Sequence, residues 1–205
     1  MRLLAHIISA IFQPLLMPSL VFYTALYHID NSTNLTEAGQ WTVLSLIFLT
    51  TCIIPILVIL MFRFAKVIKD LQMTDRKDRF FPFIFISIFY VIVAVLFHRQ
   101  LPLNPLLSIS LIAITVVVVL TNIITFFWKI SAHSAGVVGW LGFIMVYEQV
   151  NPGTNTLLVP LLGAIALCGI VLWARLYLNA HKPIEILGGS VLGFLICYGS
   201  IYFFL

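Results

Sequence analysis

Seven apolar runs alternate with polar breaks along the chain: about Leu3 to Tyr27, Trp41 to Met61, Pro82 to Phe97, Pro105 or Leu106 to Trp128, Ser131 to Val150, Thr156 to Ala174 and Pro183 to Leu205. Most approach the roughly 20 residues that an α-helix needs to cross a bilayer core. The pattern predicts an all-α, polytopic membrane helix bundle with about seven transmembrane helices, six being the alternative count. It also predicts one integral membrane domain over residues 1–205. The first run is too long for a signal peptide and lacks a small-x-small cleavage site, so it is expected to stay as a span kinked near Pro14 and Pro18. The run from Pro82 is short and is expected to tilt or to begin within the preceding segment. The fifth run is long enough only if its helix starts near Ser131. Gly136, Gly139 and Gly142 recur on it every three residues, a spacing that favours close helix packing.

Composition turns that pattern into a membrane assignment. Of 205 residues, 62% are hydrophobic and only 9% charged, and mean hydropathy is +1.14. A soluble domain carries about a quarter charged residues, so this chain cannot cover a water-facing surface. Trp41, Trp128 and Trp173 fall at expected span ends, as an aromatic belt requires. Cys52, Cys168 and Cys197 are odd in number, form no CxxC pair and lie within apolar runs, which suits small buried hydrophobes. The net charge of +4 sits beside the spans, so lipid headgroups and membrane topology explain it better than nucleic acid does.

Counting crossings brings three distant breaks to one face: Arg63–Arg79, Lys129–Ala135 and Arg175–Glu185. Spans three, five and seven begin on that face, and helix N-termini favour anions. Ten of the eleven Lys and Arg residues fall there, with only Arg99 opposite. The positive-inside rule then makes this face cytoplasmic, in a cell's inner membrane. The face offers His133, His181, Ser131, several cations and Glu185, and no cysteine or paired-carboxylate metal site accompanies them. Pro183 suits the first turn of a helix. Glu185 then lies about one turn beyond His181 and can reach back to a ring nitrogen, leaving the other free to attack or to carry a proton. Arg175 brings a planar fork suited to phosphate oxygens. Basic donors around a histidine nucleophile suit attack on phosphorus, with a second histidine protonating the leaving oxygen.

These residues resemble the type 2 phosphatidic acid phosphatases (PAP2), which share motifs with vanadium haloperoxidases. That family reads K-x6-R-P, P-S-G-H and S-R-x5-H-x3-D. This chain has Lys69-x6-Arg76, then Ile130-Ser131-Ala132-His133, then Ala174-Arg175-x5-His181-x3-Glu185. The resemblance covers roughly Lys69 to Glu185, within a motif-bearing core of about residues 66–205. It implies His181 as the nucleophile, Glu185 as its orienting carboxylate and His133 as acid and then base. Lys69, Arg76 or Arg79, Ser131 and Arg175 would cradle the phosphate, with no metal or other cofactor. Glutamate stands where the family has aspartate, Ala132 replaces glycine, and the proline follows Arg79 at Pro82 rather than Arg76. Arg76 and Arg79 therefore both remain candidates for the first-motif arginine.

The function so implied is hydrolysis of a phosphomonoester or pyrophosphate whose tail lies in the bilayer: phosphatidate, phosphatidylglycerophosphate or a prenyl pyrophosphate. Two other classes compete. An intramembrane prenyltransferase would use Asp70 and Asp75 with magnesium, although such enzymes carry two acidic loops and this chain has one acidic cluster. An inactive lipid-phosphate binding or transport protein would use the same rim to hold an anion. Plain structural roles compete as well: His133 as an interfacial histidine, His181 with Glu185 as a helix start, Ser131 as an N-cap, and the Lys and Arg residues as topology signals. His6, His28, His98 and Glu148 belong to no shared motif and receive no function.

Overall fold

A computed structural model describes residues 1–29, 33–69, 76–100, 104–150 and 155–204, without the side chains of 76–78, 150 and 155. The described residues are mostly helical and contain no strand. The helices are α1 (Arg2–Ile11), α2 (Met17–Tyr27), α3 (Glu37–Phe48), α4 (Ile54–Phe64), α5 (Arg76–Gln100), α6 (Pro105–Phe127), α7 (Ala132–Val150), α8 (Leu158–Tyr177) and α9 (Pro183–Phe204). Six stretches are long and apolar enough to cross a membrane: Arg2–Tyr27, Glu37–Phe64, Arg79–Gln100, Pro105–Phe127, Leu158–Tyr177 and Pro183–Phe204. The protein is an all-α bundle of membrane type. Its outer surface carries exposed Leu57, Phe64, Val159, Leu162 and Leu195, an apolar area that water would not tolerate.

The fifth run is the one that departs from the expected pattern. It forms α7, yet α7 is absent from the six apolar stretches. Its residues meet protein instead of lipid: Val137, Phe143, Ile144 and Val146 are buried, and α7 packs against α2, α6, α8 and above all α9. A helix wrapped by other helices needs small residues for close approach more than it needs long apolar ones. Gly139 faces Cys197 and the Gly193 carbonyl, and Gly142 faces Phe194, so the expected packing role of these glycines is present. The tightest approach comes from α9: a Cβ on Gly193 would lie 2.0 Å from the Ala135 carbonyl oxygen, and one on Gly189 would lie 2.4 Å from that of Ser131.

Prolines set the breaks in the first two membrane stretches. Pro14 disfavours helical backbone at the residue before it, and Gln13 is extended (φ −69°, ψ 154°). The span is therefore split into α1 and α2, joined by a short 3-10 turn at Pro14–Leu16. In the second stretch, five residues of π-helix, Leu49–Ile53, separate α3 from α4. Pro55 has no N–H to offer the carbonyl four residues back, which belongs to Thr51. The buried phenol of Tyr90 on α5 donates to that oxygen at 2.8 Å. Further on, α5 begins at Arg76, six residues before Pro82, and carries the proline inside it.

The main core lies between α2, α3, α5, α6 and α7, around Phe22, Ile47, Tyr90, Leu107 and Phe143. The Trp140 indole donates to the Thr24 hydroxyl at 3.0 Å and ties α7 to α2. All three cysteines are free and buried, as their apolar surroundings suggest. Trp41 packs against Tyr27 near one end of the bundle, and Trp173 stacks on Tyr177 near the other.

Two substitutions test this account by thermal unfolding in detergent. Gly193→Ala forces its methyl against backbone and is expected to cost about 3 kcal/mol, at the upper end for overpacking. Gly163→Ala, with nothing within 4 Å, should be neutral or slightly stabilising.

Candidate functional site

Two of the three predicted motifs converge where α7 and α9 begin. The Ser131 N–H donates to the Glu185 carbonyl at 3.2 Å. The Ser134 hydroxyl donates to the carbonyls of Ser131, at 2.9 Å, and Ile186, at 3.0 Å. Ser131 caps α7, its hydroxyl accepting the Ser134 N–H at 3.3 Å. Ser131 is fully buried, so its side chain serves this junction in the structure as it stands. Two helix N-termini thus lie side by side, a polarity that suits negative charge.

The chain reaches His181 through a tight exit from α8. Arg175 belongs to the last turn of that helix rather than to the connection after it. Asn179 adopts left-handed backbone (φ 51°), which asparagine tolerates better than most residues. The Ala180 N–H closes the helix end on the Arg175 carbonyl at 3.1 Å, a reversal of the kind that commonly ends helices. Two residues later His181 stands beside the start of α9.

Glu185 occupies the third position of α9, and its Oε2 accepts the Lys182 backbone N–H at 3.1 Å. This is the carboxylate half of a capping box. The same oxygen lies 3.0 Å from His181 Nδ1. A carboxylate can only accept there, so Nδ1 carries the proton and Nε2 keeps its lone pair. The helix-start role and the His-orienting role, alternatives in the sequence, are met together by one oxygen. Burial pushes His181 down to about 4; the Glu185 hydrogen bond opposes that shift, while Arg175 and Lys129 add to it. The ring is therefore neutral at pH 7, the form in which a nitrogen can act as a nucleophile.

His133 sits in the first turn of α7, and Arg175 and His181 are both near enough for their charges to act on its ring. Its Nε2 lies 3.1 Å from the Ser9 carbonyl of α1. A carbonyl only accepts, so Nε2 carries hydrogen and Nδ1 is left for a second proton. Arg175 is partly buried, and its Nε has no partner. An unpaired buried guanidinium nitrogen is costly, and an anion placed between Arg175 and the histidines would relieve that cost.

Less of the first motif falls among the described residues. Lys69 is exposed and Arg79 half-buried. Arg76 opens α5, and its side chain lies outside the described residues, as do Asp70 and Asp75. Phe80 packs on Phe126 at 5.7 Å, which brings the start of α5 to the end of α6, just before the Trp128–Ser131 connection. Among the described residues, no group of three or more His, Cys, Asp or Glu could hold a metal ion.

Two contributors escaped the motif reading. Lys129, one residue beyond Trp128, acts on the His181 ring. Ser9 comes from the first helix, outside the span of the resemblance; its only signal is the spacing of Arg2, His6 and Ser9 along one helical face. No family model matches the chain, and no match is found among curated proteins or solved structures.

The histidine assignment has a direct check. In a pH titration followed by NMR, His181 should protonate near pH 4 instead of near the ordinary 6.5. Because its folded pKa is depressed, its contribution to stability is complete above about 6.5 and is lost as pH falls toward 4. Glu185 raises the ring's pKa, so Glu185→Gln should move the titration lower still.

Proposed function

We propose that the protein is a metal-independent lipid phosphate phosphatase, in which His181 forms a phosphohistidine. The observation that carries this reading is the His181–Glu185 contact of 3.0 Å beside an unpartnered Arg175 Nε. His181 Nε2 attacks phosphorus while the P–O bond to the lipid breaks. Positive charge developing on the ring is balanced by Glu185 through Nδ1–H. Burial and the nearby Arg175 charge push His133 down to about 4 and leave it neutral before substrate binds. It takes up the proton of a monoanionic phosphate and gives it from Nδ1 to the leaving oxygen, which departs as the lipid alcohol or, from a pyrophosphate, as the lipid monophosphate. Neutral His133, still holding Nε2–H toward Ser9, then takes a proton from water as the water oxygen attacks the phosphohistidine. Inorganic phosphate leaves and His181 Nε2 recovers its lone pair.

Arg175 holds the equatorial oxygens, assisted by the paired N-termini of α7 and α9. By the resemblance to the PAP2 family, Lys69, Arg76 or Arg79, and Ser131 share in that grip. The substrate keeps its tail among the helices or in the surrounding bilayer, which fits phosphatidate, phosphatidylglycerophosphate or a prenyl pyrophosphate. The cationic excess on this face supports a cytoplasmic orientation in an inner membrane.

Purified protein in lipid nanodiscs should release phosphate from one of these lipids in the presence of chelator and be inhibited by orthovanadate. His181→Ala should lose at least about 10³-fold in turnover, the scale of losing a principal reacting group. Full activity in His181→Ala would end the mechanism. An absolute requirement for magnesium would favour a prenyltransferase, and lipid-phosphate binding without turnover an inactive binding protein.

A further inference from the structure

Helix α1 lies outside every motif, yet it touches the centre of the site. Ala5 and Ser9 are its two buried residues, and they face the bundle, while Leu3, Leu4, Ile7 and Ile11 are exposed. Ile8 and Phe12 pack near Val171 and Cys168 of α8, whose last turn carries Arg175. The Ser9 carbonyl meets His133. The hydroxyl of the same residue is buried, at 9% relative exposure, and has no hydrogen-bond partner.

Ser9 shares this with Ser19 and Thr121 among the described helices. In this bundle Thr24, Thr51, Ser110, Thr115 and Thr125 each return their hydroxyl to a carbonyl four residues back, the ordinary refuge of a buried hydroxyl. Ser9 does not. Among the described residues, one orphaned hydroxyl therefore belongs to the residue whose carbonyl meets His133, and one orphaned guanidinium nitrogen to the arginine whose charge acts on both histidines. Buried polar atoms without partners are costly, and two around one site point to a missing acceptor that both can reach. An anion oxygen accepts from O–H and N–H alike.

We propose that Ser9 is a phosphoryl-oxygen ligand, donating its hydroxyl from α1 opposite Arg175, so that the first helix forms a wall of the binding site. The assignment rests on the phosphoryl reading of the site and adds a fourth segment to it. Arg2 and His6 share the Ser9 face of α1, with Arg2 about 10 Å toward the helix start at 1.5 Å per residue.

Ser9→Ala removes only the hydroxyl and leaves the carbonyl that holds His133. Ser19→Ala is its control: Ser19 is likewise buried and unpartnered, but it lines a groove between α2 and α3 with Tyr23, Trp41 and Phe48. Orthovanadate and inorganic phosphate, titrated calorimetrically into the detergent-solubilised full chain, should bind Ser9→Ala roughly tenfold more weakly than the unmodified protein, the effect of one hydrogen bond to a charged group. Ser19→Ala should bind as the unmodified protein does. Equal affinity in Ser9→Ala, or equal weakening in Ser19→Ala, overturns the role of Ser9 while leaving the phosphatase reading intact. If the unmodified protein binds neither anion and hydrolyses no lipid phosphate, the phosphoryl reading and the role of Ser9 fall together.

Discussion

The close approach of α7 to α9 is the constraint on which the rest of the structure depends. Gly193 and Gly189 let backbone meet backbone where a single methyl would collide with the carbonyls of Ala135 and Ser131. At that distance the starts of the two helices interlock through Ser131, Ser134, Glu185 and Ile186. His133 is thereby fixed to one helix and His181 to the entrance of the other. In lipid there is little hydrophobic drive between helices, so contact of this kind supplies much of the cohesion. The geometry of the candidate site and the stability of the bundle draw on the same few glycines.

Much of this architecture was legible in the sequence, because apolar run length is a strong signal when the solvent is hydrocarbon. The six membrane stretches, the break at Pro14 and the Glu185–His181 contact all follow from local pattern. The sequence was less informative wherever neighbours override local rules. The short run from Pro82 implies an earlier start, and α5 does begin at Arg76 with Pro82 inside it, but the apolar pattern leaves that first residue open. Arg175 reads as part of a connection, yet α8 extends past it because Asn179 supplies the reversal two residues after the helix ends. The fifth run reads as one more span with closely packed glycines, and the packing is there, but α7 is enclosed by protein and carries glycine, Glu148 and Gln149 at the expense of apolarity. Ser9 was hidden for a different reason: a lone serine in an apolar helix acquires meaning only when its neighbours are known.

The electrostatics of the site are set by how little water it admits. Burial outweighs the carboxylate at His181 and leaves the ring neutral, while Arg175 stays charged with one nitrogen unpaired. Among the described residues, two buried donors near the histidines, the Arg175 Nε and the Ser9 hydroxyl, have no hydrogen-bond partner. A group bringing several oxygens and negative charge satisfies them at once, and a neutral lipid does not. The proposed preference for an anionic headgroup rests on these two groups.

The bend between α3 and α4 bears on how the chain is made. The Thr51 carbonyl obtains its hydrogen from Tyr90, a residue synthesised 39 positions later. Until that partner arrives, a nascent Glu37–Phe64 segment must enter the bilayer with a bare carbonyl or in another helical geometry. The bend is therefore finished by α5, and the hydrogen-bonding unit is the pair rather than the single helix.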